Sequence, residues 1–272
     1  MPPDRRQGFP PGACDVPPDM EAVMEAKVDE IGDGIFRISI FMPHVRPPAG
    51  LTFNEFVMLA DEPLLFHCGH RKLFPVVSAA VARVLPLDRL RWISFGHLEA
   101  DECGAMNEWL TVSPRAQIVH GVLGCRLSID DMADRPARSL SNGDVLDLGG
   151  RRVRFIDTPN IPHGLDASVI YEEATSTLFC GDLFAHDGNG PPLTTGDILG
   201  PAAVTSDAAG FTTIGPSTAP IIGGLAKLAP KMLAVMHGSS FTGDAGAALT
   251  GLANHYADRL RAALEVRIPS DV

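Results

Sequence analysis

The sequence predicts a layered α/β fold built on two mixed β-sheets. Strand-type segments occur in both halves of the chain, hairpin signals are mixed with helical crossovers, and helix-type patterns separate the β-rich halves. A single parallel sheet would need a crossover between every pair of strands, and the hairpins are incompatible with that arrangement.

The first half contains three strand signals and one helix. Gly34–Met42 alternates apolar and polar residues, as a half-buried strand does. Asn54–Gly69 has two short apolar runs around the sequence DEP and predicts a hairpin. Lys72–Leu85 has apolar residues at helical spacing, and Pro75 falls in the first turn, where its missing N–H costs nothing. Leu90–Gly96 is predicted as a further short strand.

The second half continues this mixture. A long stretch rich in Gly, Pro and Thr, Asp187–Pro220, is predicted as a lid or binding loop with room for a short helix. The remaining elements are predicted as a helix over Glu102–Val112, strands over Gln117–Gly121 and Lys231–Gly238, hairpins over Asp144–Pro159 and Ser168–Asp182, and an amphipathic helix over Ala245–Val266.

Length and composition restrict the class of protein. Residues 1–18 are predicted as a flexible, Pro-rich N-terminal arm, and residues 19–272 as one domain. The net charge of -11 argues against nucleic acid as a partner. No apolar run reaches the roughly 18 residues of a membrane span, and the N-terminus lacks the apolar core of a signal peptide.

The five cysteines form no CxxC pair, which indicates neither a disulfide framework nor a thiolate metal site. A reducing cytoplasm fits this usage best.

One segment concentrates charge. The sequence GHLEADECG, Gly96–Gly104, holds one histidine and three carboxylates. In an extended segment His97, Glu99 and Asp101 point to one side. Carboxylates this close repel one another unless a positive group lies among them. A solvated strand-to-helix junction, with Asp101 as a helix cap, explains the segment equally well when it is taken alone.

Three further candidate ligands follow apolar strands. His163 lies in a loop after a strand, and Asp182 and His237 each end a strand. A single histidine is more often structural than a metal ligand, but side chains that follow strands converge readily on one edge of a layered fold. Together with the acidic segment, they predict a metal site.

This order of residues resembles the metallo-β-lactamase superfamily. The resemblance rests on four motifs in order: H-x-E-x-D, a histidine after a strand that ends in TP, a GD and a final HG. It covers the chain from about Gly34 to His237. The resemblance implies an αββα sandwich, in which helices flank two mixed sheets. Hydrolases of the superfamily usually carry H-x-H-x-D-H. Glu99 replaces the second histidine, which is similar to the diiron domain of flavodiiron proteins and of stand-alone oxygen-binding diiron proteins.

The resemblance implies a ligand set for two iron ions, with zinc or manganese as alternative metals. His97, Glu99 and His163 would bind one ion, Asp101 and His237 the other, and Asp182 would bridge them. Mixed histidine and carboxylate ligands with open positions suit non-haem iron.

Two departures from the family pattern matter. Glu102 stands where the family carries a histidine ligand; it would bind the metal, hold a water or turn away. Flavodiiron reductases also carry a flavodoxin-like domain, and no flavin domain is recognised in this chain. We therefore expect either a separate redox partner or a sensor that does not turn over.

Three other histidines are candidates for a metal or supporting role: His67, His70 and His186. His67 and His70 follow a strand and would support the metal ligands through hydrogen bonds, and His186 is near Asp182 and would line the pocket. A structural turn for His67 and His70, and a plain loop position for His186, are the favoured explanations.

Three functions follow from these observations. The first is a diiron oxidoreductase that acts on O2, NO or peroxide with an external electron donor. The second is a diiron O2 sensor, and the third is a binuclear metal-dependent hydrolase that uses a metal-bound hydroxide. The expected partners are a small molecule and a redox protein, and a homodimer is consistent with the resemblance.

Overall fold

The protein is described by a computed structural model that covers residues 25–265. Two seven-stranded sheets lie face to face, and helices cover the outer face of each. This is the predicted αββα sandwich. The predicted arm, residues 1–18, lies outside the described residues, and the assignment of one domain to residues 19–272 stays a prediction.

The first sheet follows chain order. Its first four strands are antiparallel neighbours, and its last four are parallel. The strands are β1 (Lys27–Gly32), β2 (Ile35–Met42), β3 (Leu51–Met58), β4 (Leu64–Phe66), β5 (Trp92–Ser94), β6 (Gln117–Gly121) and β7 (Arg138–Leu140).

The second sheet is mixed throughout. Its strands are β8 (Val145–Asp147), β9 (Arg152–Asp157), β10 (Ser168–Glu172), β11 (Thr177–Phe179), β12 (Leu193–Thr194), β13 (Met232–Ala234) and β14 (Ser240–Thr242), in the spatial order β12-β14-β13-β11-β10-β9-β8. β11 and β13 are parallel, and the chain between them crosses the outer face of this sheet, as a parallel connection requires.

The helices form two outer layers. Those over the first sheet are α1 (Phe74–Val81), α2 (Ala100–Cys103), α3 (Met106–Val112), α4 (Val122–Gly124) and α5 (Asp130–Met132), with a π-helical turn at Cys125–Ile129 and short 3-10 turns at Arg71–Leu73 and Leu87–Arg89. Those over the second sheet are α6 (Leu199–Ala209), α7 (Thr218–Ala226) and α8 (Ala245–Glu265).

The predicted elements are confirmed in position, with three differences. The stretch Asp187–Pro220 contains β12, α6 and the start of α7, so helices replace most of the expected loop. The helix predicted over Glu102–Val112 is divided into α2 and α3. The helical segment from α4 to α5 was not predicted, because Leu123, Leu127 and Met132 are exposed and only Cys125 and Ile129 face the core, which leaves no clear amphipathic pattern.

No helix within residues 25–265 is both long and apolar enough to cross a membrane. The cysteines in this part of the chain, Cys68, Cys103, Cys125 and Cys180, are buried free thiols.

Three apolar cores result from the layering, and the central one joins the sheets. Phe56 and Phe66 of the first sheet face Phe179 of the second, with ring centroids 5.5 and 5.6 Å apart in edge-to-face geometry. All three side chains are fully buried. Aromatic pairs of this kind stabilise a core beyond the area that they bury.

We expect Phe179→Ala to lower the free energy of unfolding by about 3–5 kcal/mol, because it opens a cavity between the sheets. Urea denaturation of the metal-free protein measures this. Val204→Ala on α6, where the residue is 70% exposed, is the control and should change stability by less than about 0.5 kcal/mol. A loss below about 1 kcal/mol for Phe179→Ala would contradict the central role of this contact.

Candidate metal centre

Parallel strand pairs place the candidate ligands at one edge of the sandwich. Ser94 at the end of β5 pairs with Phe66 of β4, and His97 follows three residues later. In the second sheet Phe179 of β11 pairs with Ala234 of β13. Parallel strands leave the sheet on the same side. β11 and β13 therefore each place a polar side chain at that edge, the same number of residues past the paired position.

These two side chains are Asp182 and His237, each three residues beyond the paired position. His163 comes from the loop between β9 and β10. The loop lies against the β5–α2 connection, where the N–H of Ser168 donates to the carbonyl of Gly96 at 2.8 Å. Gly164 in this loop has φ +85°, and a Cβ there would lie 3.0 Å from the Cβ of His97, so the close approach of the two loops requires glycine.

Four candidate ligands form a tight group. The ligand atoms of His97, Glu99, His163 and Asp182 all lie within 4.8 Å of one another. Glu99 Oε2 is 2.9 Å from His97 Nε2 and 3.0 Å from His163 Nε2. His163 Nε2 is also 3.4 Å from Asp182 Oδ2. We call His97, Glu99 and His163 the first group.

A second group adjoins it through Asp182. His237 Nε2 is 3.3 Å from Asp101 Oδ2 and 3.3 Å from Asp182 Oδ1. Asp182 therefore presents one oxygen to each group. We call Asp101 and His237 the second group. The structure brings together all six residues that the sequence singled out.

The electrostatics show a surplus of negative charge. Hydrogen bonds from His163 and His97 hold the pKa of Glu99 well below its usual range. Burial lowers the pKa of His97, but Glu102 and Glu99 outweigh burial and raise it to about 12. Burial also opposes protonation of His237, yet Asp101 and Asp182 raise its pKa well above the usual value. Without another cation, the imidazoles must carry the balancing protons.

The donor set fits a pair of metal ions. Asp101 Oδ1 is buried and has no hydrogen-bond partner within residues 25–265, and the buried Asp182 Oδ1 has the ion-pair contact with His237 Nε2 at 3.3 Å in place of a hydrogen bond. A buried carboxylate oxygen without a partner is costly, and a metal ion satisfies it. Metal ions compete with protons for the same imidazole nitrogens, so the protons held by His97 and His237 mark positions that a divalent cation can take.

Glu102 does not face this cluster. Its Oε2 accepts the backbone N–H of His97 at 2.7 Å, and its Oε1 lies 3.4 Å from His97 Nδ1 and 3.5 Å from His67 Nε2. Burial raises the pKa of Glu102, but His67 and His97 outweigh it and the net pKa is lowered. Glu102 and His67 thus stand behind His97 and orient its ring, as carboxylates behind metal-bound histidines do.

His186 supports His237 through the backbone. The N–H of His186 donates to the carbonyl of His237 at 3.0 Å, and His186 Nε2 accepts the N–H of Ser239 at 3.0 Å. Gly238 between them has φ +102°, and a Cβ there would lie 2.2 Å from His186 Nε2. The ring of His237 is fixed as well, because its Nδ1–H donates to the carbonyl of Thr52 at 2.7 Å and leaves Nε2 free.

A cavity of about 330 Å³ lies over both groups. His70 lines it, together with the apolar side chains Leu51, Phe53 and Phe211. Arg46 stands in its wall and is paired with Asp187 at 2.6 Å.

Several supporting residues were missed from the sequence. Asp166 Oδ2 accepts the N–H of Leu98 at 3.1 Å and lies 3.0 Å from His120 Nε2. Arg37 Nη2 and Asn54 Nδ2 donate to the carbonyl of Gly238 at 3.1 and 2.9 Å. Arg37 and Asn54 are polar residues inside otherwise apolar strands, and that contrast could have marked them as supporting residues. Nothing in the sequence marks Asp166 in this way.

Sequence comparison identifies the class. The sandwich with its histidine and carboxylate cluster defines a metallo-β-lactamase-like protein. A sequence model described as ODP family beta lactamase matches residues 51–195, just over half of the chain. The chain belongs to this family.

Curated relatives cover parts of the chain. Diflavin flavoprotein A 1 of Synechocystis sp. is 28% identical over 138 residues, which are 50% of this chain and 24% of the relative. Coenzyme F420H(2) oxidase of Methanothermobacter marburgensis is 26% identical over 173 residues, 59% of this chain and 43% of the relative. Rubredoxin-oxygen oxidoreductase of Megalodesulfovibrio gigas is 24% identical over 149 residues, 54% of this chain and 37% of the relative. The matched region therefore spans less than half the length of these relatives.

Solved structures share the fold over more of the chain. The rubredoxin oxygen:oxidoreductase of Desulfovibrio gigas has a TM-score of 0.73 at 18% identity and covers 86% of this chain and 62% of that chain. The flavodiiron protein from Giardia intestinalis has a TM-score of 0.65 at 17% identity, over 86% of this chain and 60% of that one. The predicted resemblance to flavodiiron proteins is confirmed at the level of fold and family.

Glu55 is a further buried carboxyl near the cluster. It lies on β3, has no exposed surface, and neither oxygen has a hydrogen-bond partner within the described residues. Burial raises its pKa to about 8, with Asp101 adding to the shift and Arg37 and His237 opposing it.

We expect Glu55→Gln to flatten the pH dependence of stability in the metal-free protein. The wild-type carboxyl binds its proton more tightly when folded, so its contribution to stability is present below about pH 4.5 and is lost as the pH rises to about 8. Relative to wild type, the variant should gain more than about 1 kcal/mol in unfolding free energy between pH 5 and pH 8.5. A parallel pH profile for the two proteins would contradict the raised pKa.

Proposed function

We propose that this chain is a non-haem diiron protein of the flavodiiron type that binds or activates O2 or NO. The observation that supports this most directly is the placement of Asp182, whose two oxygens face two separate groups of ligands. Three imidazoles and three carboxylates balance two Fe(II) ions closely in charge, and such mixed ligands suit iron better than zinc.

In this proposal each side chain has a defined role. His97, Glu99 and His163 would hold one iron, Asp101 and His237 would hold the other, and Asp182 would serve both. When bound, the iron pair supplies the redox chemistry. Glu102 and Thr52 fix the ring orientations of His97 and His237, so that Nε2 of each ring faces the cluster.

The cavity supports a small, weakly polar ligand. Leu51, Phe53 and Phe211 give it apolar walls, which disfavour bulk water and accept a gas molecule. Electrons would come from a separate donor. The relatives named rubredoxin-oxygen oxidoreductase and coenzyme F420H(2) oxidase carry the names of their reaction partners, and we propose a redox protein or reduced cofactor for this chain as well.

The size of the cavity favours one second candidate function, a binuclear metal-dependent hydrolase. A volume of about 330 Å³ exceeds what a diatomic gas needs, since a liquid water molecule occupies about 30 Å³. A lactone, thioester or phosphodiester would fill it. Glu99 in place of a histidine counts against this candidate.

We expect protein purified without added metal to contain close to two irons per chain. It should show a ferric charge-transfer band that bleaches on anaerobic reduction and returns in air, because the ligand set is harder and more anionic than a zinc site. Elemental analysis and visible spectroscopy measure this. Steady consumption of O2 with a chemical reductant would indicate an enzyme. Reversible binding of O2 without its consumption would indicate a sensor. A colourless zinc protein that hydrolyses an ester-type substrate would contradict the diiron proposal.

We expect Asp182→Ala to reduce iron content from about two per chain to below one, because a bridging carboxylate serves both ions. Elemental analysis after gel filtration measures the loss. Asp258→Ala on α8, where Asp258 is exposed and paired with Arg261, is the matched control and should keep the wild-type content. Two irons retained in Asp182→Ala would show that the proposed ligand set is wrong.

A further inference from the structure

The ligands of the first group come from two loops that are far apart in sequence. His97 and Glu99 lie in the connection between β5 and α2, and His163 lies in the loop between β9 and β10. One oxygen of Glu99, Oε2, is 2.9 Å from His97 Nε2 and 3.0 Å from His163 Nε2. The spacing of the two imidazoles therefore depends on how the two loops are held together.

Asp166 joins the two loops beside these ligands. It follows His163 by three residues, and its Oδ2 accepts the backbone N–H of Leu98 at 3.1 Å. Leu98 stands between His97 and Glu99, so this hydrogen bond fixes the backbone at the point from which both side chains project. Through one contact, Asp166 ties the loop of His163 to the segment that carries the other two ligands.

The carboxylate of Asp166 is held in turn by His120. Nε2 of His120 lies 3.0 Å from the same oxygen, Oδ2. His120 is on β6, is fully buried, and stacks against Phe95 with ring centroids 4.7 Å apart. Burial raises the pKa of Asp166, but His120, chiefly through this hydrogen bond, outweighs burial and the net pKa is lowered. Asp166 is therefore an ionised acceptor, and the imidazole of His120 donates its Nε2–H.

The second group is held by different contacts. His237 Nδ1–H donates to the carbonyl of Thr52 at 2.7 Å, and the N–H of His186 donates to the carbonyl of His237 at 3.0 Å. The two loops that Asp166 joins take no part in these hydrogen bonds. A change at Asp166 should therefore act on the first metal position more than on the second.

We infer that Asp166 is a positioning residue of the first metal position. By accepting the N–H of Leu98 while His120 holds its carboxylate, it locks the β5–α2 connection against the β9–β10 loop. This contact sets the spacing of the two imidazoles around Glu99, and Asp166 acts through Leu98 without binding the ion itself. The inference rests on the proposed function, because it requires a metal ion at the first group.

Metal binding by the full chain tests the positioning role. Metal-free wild type, Asp166→Ala, Asp166→Asn and the control Asp244→Ala are titrated with Co²⁺, and the dissociation constant of each equivalent is measured by calorimetry. Asp244 is a matched control because its Oδ1 also accepts a backbone N–H, that of Ala247 at 2.8 Å, at the start of α8 and away from the cavity. The first group with Asp182 brings four ligand atoms within 4.8 Å of one another and should take up the first equivalent.

We expect Asp166→Ala to bind the first equivalent at least about tenfold more weakly than wild type, as loss of a contact behind a metal ligand does. Asp166→Asn should stay within about threefold of wild type, because its amide oxygen can still accept the N–H of Leu98. Asp244→Ala should match wild type. An unchanged first equivalent in a folded Asp166→Ala, or an equal loss in Asp166→Asn, would overturn the inference.

A second measurement uses the metal-free protein. Hydrogen exchange of the Leu98 amide, followed by NMR, should be at least about tenfold faster in Asp166→Ala than in wild type, because the amide loses a charged acceptor. If Asp166→Ala does not fold, as judged by circular dichroism, the wild-type amide decides: protection from exchange supports the inference, and exchange at the rate of an unbonded amide overturns it. Failure of wild type to bind Co²⁺ while the Leu98 amide is protected would instead refute the proposed function.

Discussion

The structure depends on the balance of charge at one edge of the sandwich. Glu99, Asp101 and Asp182 converge there on three imidazoles, with Glu102 buried directly behind them. Desolvation makes such a group unstable unless positive charge is present. In the metal-free chain protons on His97 and His237 supply it, as the raised pKa values of both show. Metal ions compete with protons for the same imidazole nitrogens, so a bound cation would balance these carboxylates in the same way.

The fold delivers the ligands through strand pairing. His97, Asp182 and His237 each lie three residues past a residue paired in a parallel ladder, so the sheets themselves set their spacing. The loops are then fixed by backbone hydrogen bonds, such as Ser168 to Gly96 and His186 to His237. Rigid placement of this kind is what a metal site needs, because ligand geometry controls which ion binds.

The two halves of the site differ in their supporting contacts. His97 is backed by the buried carboxylate of Glu102, whereas His237 is backed by a neutral carbonyl of Thr52. A carboxylate behind an imidazole raises its basicity more than a carbonyl does. Glu102 therefore gives the ring of His97 a charged partner that the ring of His237 lacks.

The sequence by itself determined the fold class and the six clustered residues. Hairpins mixed with crossovers exclude a single parallel sheet, and polar residues after apolar strands mark an edge. It did not determine the orientation of Glu102, because a carboxylate beside a helix start can face either side. It also gave no sign that Asp166 binds the N–H of Leu98, and it named His70 only as one of three further candidate histidines without placing it in a cavity with His237. Those contacts join residues distant in sequence, and only the packing of the two sheets decided them.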